Sequence, residues 1–132
     1  MNGTTWVRIG AILGGLGVIA GAFGAHGLRE YLDERMQAIF ETAVRYQMYH
    51  ALALLAVGLL AMMGRGGTST TVAGWSFLVG TLIFSGTLYG LSLSEIRWLG
   101  AITPIGGVAL IVGWFALAIA AGSAAKVTGP EL

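Results

Sequence analysis

Cysteine is absent from this chain of 132 residues, and charge is scarce. The first absence removes disulfides, thiolate metal sites and cysteine nucleophiles together. The second is more restrictive. Asp, Glu, Lys and Arg make up 10% of the residues, against about 25% in a soluble domain whose surface faces water. That is too little charge to cover a globule of this size, so membrane residence displaces a soluble enzyme domain as the leading class. The net charge is only +1, which exerts no pull toward nucleic acid. Catalytic signatures are missing too: there is no GxSxG, no HExxH and no phosphate loop. The GRGGTST stretch at 64–70 lacks the lysine of a phosphate cradle and reads as a turn. The expectation is a protein with no enzymatic activity, no catalytic residue, no cofactor and no metal.

Apolar residues, at 56%, fill the space that charge leaves. A membrane-spanning helix needs about 20 mostly apolar residues. Four stretches qualify, at about 6–25, 46–63, 72–93 and 98–122. Each must be helical, because lipid offers no partner for a free backbone N–H or C=O. The runs are continuous rather than alternating, which excludes a barrel. The first is too long for a signal-peptide apolar region, which spans about 7–15 residues. Short links make sequential spans antiparallel. The fold class expected is an all-α, four-span antiparallel bundle in one domain, with both termini on one side and a frayed tail from Ser123 onward. Arg8, Arg65 and Lys126 lie on the termini's side, and Arg29, Arg35, Arg45 and Arg97 on the other. That balance leaves the orientation open under the positive-inside rule. The acids gathered opposite the termini tilt the expectation toward termini in the cytoplasm.

The first connection has its own pattern. Leu28, Leu32, Met36, Ile39, Phe40 and Ala43 recur at helical spacing, with Arg29, Glu30, Asp33, Glu34, Gln37 and Glu41 mostly opposite. This reads as an amphipathic, interfacial extension running into the second span. Asp33 is placed to cap it, since its carboxylate can accept from the free N–H groups of the first turn.

The chain holds 22 glycines. In a membrane helix, small residues let backbones approach closely. Gly10, Gly14, Gly17, Gly21 and Gly24 mark a ridge on the first span, and Gly106 and Gly107 mark the fourth, where Pro104 is expected to cause a kink. The ridge holds the bundle together or pairs two copies of the chain. The first and fourth spans also share a pattern, GAI at 10–12 and 100–102 followed by GG at 14–15 and 106–107, which would be an inverted repeat.

Four blocks carry a family resemblance: GAFGAHGL at 21–28, FETAVRYQMYHALALLAVGLL at 40–60, FSGTLYGL at 84–91 and IRWLGAITPIGG at 96–107. In the same order, they resemble the YgdD-like family of small inner-membrane proteins of unknown function. The resemblance implies a multi-pass protein of the bacterial inner (cytoplasmic) membrane with four spans. It implies no reaction.

The remaining polar side chains gather toward the side opposite the termini. His26, Glu41, Arg45, Tyr46, Tyr49, His50 and Arg97 form a candidate functional belt. Glu41 precedes Arg45 by four residues, the favourable order for a helix ion pair. His26 and His50 end sequential spans on one side and are expected to approach each other, with His26 bonding a backbone carbonyl or a residue of the second helix. Three readings compete. The belt stabilises the bundle and anchors it at the interface. Alternatively His26 and His50, with Glu41 as third ligand, hold a metal or haem between facing helices. Or an oligomer conducts protons or a small solute past Ser76, Thr81, Ser85, Thr87, Ser92 and Thr103, although such side chains usually bond their own backbone. The first is the expectation. The protein then serves as a small structural or accessory subunit whose partners are the lipid bilayer and either a second copy of itself or another membrane protein, with no nucleic acid.

Overall fold

The computed structural model describes residues 1–123 and is helical throughout its regular elements. Four helices follow in chain order: α1 Gly3–His26, α2 Glu34–Met62, α3 Thr68–Ser94 and α4 Leu99–Gly122. All four are long and apolar enough to cross a membrane. The expected fraying tail lies, beyond Ser123, outside the described residues.

The helix ends follow from local chemistry. Asn2 caps α1 by accepting from the Thr5 N–H at 2.9 Å. Asp33 caps α2 by accepting from the Met36 N–H at 2.8 Å. The amphipathic extension therefore begins at Glu34, where the Asp33 cap places it, and leaves Leu28 and Leu32 outside the helix. Residues 27–32 form turns instead, closed by the N–H groups of Gly27 and Leu28 donating to the Phe23 carbonyl. Leu28 is nonetheless buried, so its helical-looking spacing reflects burial in a turn. Gln37 departs from the expected polar face. Its Nε2 donates to the Gly24 carbonyl at 2.7 Å and ties the start of α2 to the end of α1. At the other end of the bundle, Arg65 reaches from the α2–α3 turn and donates to the Ala121 carbonyl at 2.6 Å. A cation there satisfies the free carbonyls of α4 and suits the helix dipole. α3 stops at Glu95, whose φ of 58° is left-handed. α4 runs through Pro104 without interruption.

The helices are joined as two close hairpins, α1 on α2 and α3 on α4. The hairpins meet along α2 and α3, and α2 touches α4 at only a few points. The core lies between them, at Trp6, Leu54, Val57, Ala73, Phe77 and Leu110.

Glycine sets the closeness within each hairpin. On α1 the residues buried against α2 include Gly3, Gly10, Gly17 and Gly24, spaced seven apart. Seven-residue spacing keeps a seam aligned with a neighbouring helix in a left-handed crossing. A Cβ at Gly10 would stand 2.7 Å from the Ala51 carbonyl oxygen, and one at Gly24 would stand 2.5 Å from the Phe40 ring. One at Gly17 would run into the Met48 sulfur. Gly14 looks the same way but leaves room, at 3.9 Å from Ala51 Cβ, whereas a Cβ at Gly21 would press on the Val44 side chain at 3.3 Å. In the second hairpin, a Cβ at Gly106 would stand 2.5 Å from the Phe84 nitrogen, whereas one at Gly107 meets only the Phe84 ring, at 3.7 Å. The glycine pairs that suggested an inverted repeat thus do different work. Gly106 is pressed against backbone, and its counterpart Gly14 is not.

This contrast yields a paired test. Gly10→Leu forces a side chain against a backbone carbonyl that cannot give way, and overpacking of that kind costs about 1–3 kcal/mol. A Cβ at Gly15 meets nothing within 4 Å. Thermal unfolding in detergent is expected to show a clear loss of stability for Gly10→Leu and almost none for Gly15→Leu.

Candidate functional site

The structure divides the expected polar belt into separate places. His26 is exposed at the end of α1 and makes no hydrogen bond to α2 among the described residues. It does not approach His50. Arg97 is exposed in the turn before α4. Glu41 and Arg45 line a small recess against α1, with Gly21, Gly24, Phe40 and Val44. Tyr46, Tyr49 and His50 do come together, on the opposite flank of α2, in a groove facing α4.

The separation has a geometric cause. α2 already starts at Glu34, so His50 is its seventeenth residue and not an end residue. At about 1.5 Å per residue it sits about 18 Å along the helix from Met62, near the middle of a hydrocarbon core about 30 Å thick. His26, by contrast, is the last residue of α1. The two imidazoles occupy different depths. No group of three or more His, Asp or Glu side chains among the described residues is arranged to hold a metal ion.

His50 is buried, and both its ring nitrogens are engaged. Nδ1 lies 2.6 Å from the Tyr46 carbonyl oxygen, and Nε2 lies 3.0 Å from Trp114 Nε1. An indole N–H can only donate. Nε2 must therefore accept, which leaves Nδ1 to carry the proton and donate to the Tyr46 carbonyl. This fixes one neutral tautomer and leaves no lone pair for a metal. The Trp114 bond also spans α2 and α4, the two helices that otherwise scarcely touch. It sets the width of the groove between them.

The groove encloses about 750 Å³. Tyr46, Tyr49, His50, Leu52, Ala53 and Ala56 come from α2, Phe84 from α3, and Gly107, Leu110, Ile111 and Trp114 from α4. Tyr46 stacks on Phe84 with ring centroids 4.4 Å apart. Phe77 braces Trp114 edge-on at 5.0 Å. The walls are thus held by aromatic contacts to α3.

A second polar centre lies on the other flank of α2. Gln47 Nε2 donates to the Leu13 carbonyl at 2.8 Å, and Gln47 Oε1 accepts from the Tyr89 hydroxyl at 2.6 Å. Ser85 donates to the Ala43 carbonyl at 2.7 Å. Thr87 and Thr103 share a 2.7 Å bond between α3 and α4. Each of these ties one helix to another. Gln47, Tyr89 and Trp114 were not part of the expected belt. Their signals were present in the sequence, however. A glutamine inside an apolar run is costly unless paired, and a tryptophan in the middle of a span needs a partner for its N–H.

Residues 20–107 match the family described as a protein of unknown function (DUF423). The chain is 49% identical over 117 residues to a UPF0382 membrane protein of Staphylococcus epidermidis, an alignment covering 87% of this chain and 93% of that one. It is 47% identical over 116 residues to the UPF0382 membrane protein YwdK of Bacillus subtilis, covering 88% and 94%. No solved structure matches. The chain belongs to the DUF423 family and is a multi-pass membrane protein.

The His50–Trp114 bond is open to a direct test. His50→Leu leaves the Trp114 indole N–H unpaired in the apolar groove, at a cost of about 1–3 kcal/mol. His50→Gln restores an acceptor and is expected to be milder. A double-mutant cycle pairing His50→Leu with Trp114→Phe, read by unfolding in detergent, is expected to give a coupling of about 1 kcal/mol.

Proposed function

We propose that this protein is a small structural or accessory subunit of the bacterial cytoplasmic (inner) membrane, with its termini in the cytoplasm and no catalysis of its own. It works through helix–helix contact inside the bilayer. The placement in that membrane rests on the resemblance to the YgdD-like proteins and on the bacterial relatives.

One observation carries the reading: four polar side chains of the interior spend hydrogen bonds on neighbouring helices. Gln47 ties α2 to α1 and α3, Ser85 ties α3 to α2, Thr87 ties α3 to α4, and His50 ties α2 to α4. A conduit needs polar groups left free along a path. Among the described residues, only Gln37 Oε1 and Thr81 Oγ1 are buried without a partner, and they lie on different helices far apart in the chain. The outer surface suits contact within lipid. Ile12, Leu16, Val18, Ile19 and Phe23 of α1 are all exposed, and Gly15 among them has open space around it. The partner is a second copy of the chain or another membrane protein.

Two measurements test this. Proteoliposomes carrying the purified protein are expected to hold a pH gradient as long as empty vesicles do. A leak that disappears in Thr81→Val or Gln47→Leu would establish transport instead. Cross-linking in native membranes is expected to trap a discrete assembly larger than the single chain. A chain that remains wholly monomeric would contradict the accessory role.

A further inference from the structure

The groove between α2 and α4 has properties that helix packing does not require. Its volume of about 750 Å³ falls within the range of small-molecule sites, about 300–1,000 Å³. It is flanked by helices long and apolar enough to cross a membrane, which makes membrane-resident molecules its natural occupants. Its lining is ordered along its length. Tyr46, Tyr49 and Gly107 stand toward one end, His50, Phe84 and Trp114 form the walls beside the aliphatic Leu52, Leu110 and Ile111, and Ala53 and Ala56 leave a smooth bed at the other end.

We propose that this groove binds a lipid-soluble quinone-type molecule, a planar conjugated ring bearing carbonyl acceptors on an apolar tail. Three features select that chemistry. The first is the aromatic wall. A flexible acyl chain is served by aliphatic side chains, whereas a planar ring gains from the faces and edges of other rings. Here Tyr46 is held by Phe84 at 4.4 Å, and Trp114 is held by Phe77 at 5.0 Å and by His50 at 5.7 Å. The rings are therefore set before any ligand arrives.

The second is the hydrogen-bond inventory. The Trp114 N–H is committed to His50, and His50 to the Tyr46 carbonyl. The hydroxyls of Tyr46 and Tyr49 bond no protein group among the described residues, so the free donors in the groove are phenolic O–H groups. A ligand that carries carbonyl acceptors satisfies them.

The third is depth. Tyr49 and Tyr46 lie about 20 and 24 Å along α2 from Met62, and Ala56 about 9 Å. The polar end of the groove thus faces the membrane surface that carries the α1–α2 and α3–α4 turns, and the smooth bed lies deeper. A ring held by two hydroxyls on the side of that surface, with its tail running over Ala53 and Ala56, matches that gradient.

The test uses the full chain in detergent micelles, with Trp75→Phe and Trp98→Phe removing two exposed indoles. Titration with decylubiquinone is expected to quench tryptophan fluorescence saturably, at one molecule per chain, and Trp114→Phe should abolish the effect. Gly107→Leu fills the groove without a backbone clash, since a Cβ there meets only the Phe84 ring at 3.7 Å. Its apparent affinity should fall at least tenfold, and that of Ala56→Phe likewise, so the result does not hang on one variant's folding. Tyr46→Phe combined with Tyr49→Phe should weaken binding several-fold while leaving the rings in place. Palmitate at the same mole fraction should not compete. Quenching that rises without saturating, or that survives both groove-filling variants, would overturn the proposal. Equal displacement by palmitate would show a site for acyl chains, and a Trp114 kept from quencher by a co-purifying protein would show a site for a partner helix. Either would replace the quinone.

Discussion

Two helices in a bilayer gain little by hiding apolar side chains from lipid, because lipid tails are as apolar as leucine. Cohesion must come from closeness, through many dispersion contacts at short range and through hydrogen bonds made where water is absent. The glycines of this chain answer that constraint. Gly10 brings α1 against the Ala51 carbonyl, and Gly106 brings α4 against the Phe84 backbone. Gly74 makes room for the ring of Trp6, which is almost fully buried. Every other contact in the bundle depends on helices having first come this near.

Polar groups act within the same constraint. A buried amide or imidazole in lipid must find a partner, and the nearest is the backbone or side chain of a neighbouring helix. Gln47 finds both Leu13 and Tyr89, and His50 finds Tyr46 and Trp114. These bonds fix which helices meet and at what register. They also explain why α2 and α4 can stand apart without separating. One imidazole–indole bond spans them at depth, and the space beside it is the groove.

Much of this architecture was legible in the sequence. Charge depletion and four apolar runs dictated four helices, and Asp33 announced the start of the second. The glycine ridge was visible on α1, but which glycines press hardest was not. Gly14 and Gly17 look equivalent in a repeat, and only the facing residue separates them, since Gly14 meets the methyl of Ala51 at a distance while Gly17 lies under Met48. The polar belt was read least well. Its residues are neighbours along the chain, yet consecutive residues on α2 point about 100° apart, so Arg45 and Tyr46 line different recesses. His26 and His50 both border the apolar runs of sequential spans, yet His26 ends α1 while His50 lies in the middle of α2, so they differ in depth. Partners such as Trp114, distant in sequence, follow from helix contacts that no local pattern encodes.

The account rests on the register of α1 against α2, and the absence of native cysteine makes that register directly measurable. A Cβ at Gly14 would lie 3.9 Å from Ala51 Cβ, within the range of about 3.5–4.5 Å that a disulfide spans. Gly14→Cys with Ala51→Cys, oxidised mildly in native membranes, is predicted to form an intramolecular disulfide in nearly every chain, while Gly15→Cys with Ala51→Cys forms none. Failure of the first pair, or equal cross-linking of both, would contradict the glycine-set packing of the bundle.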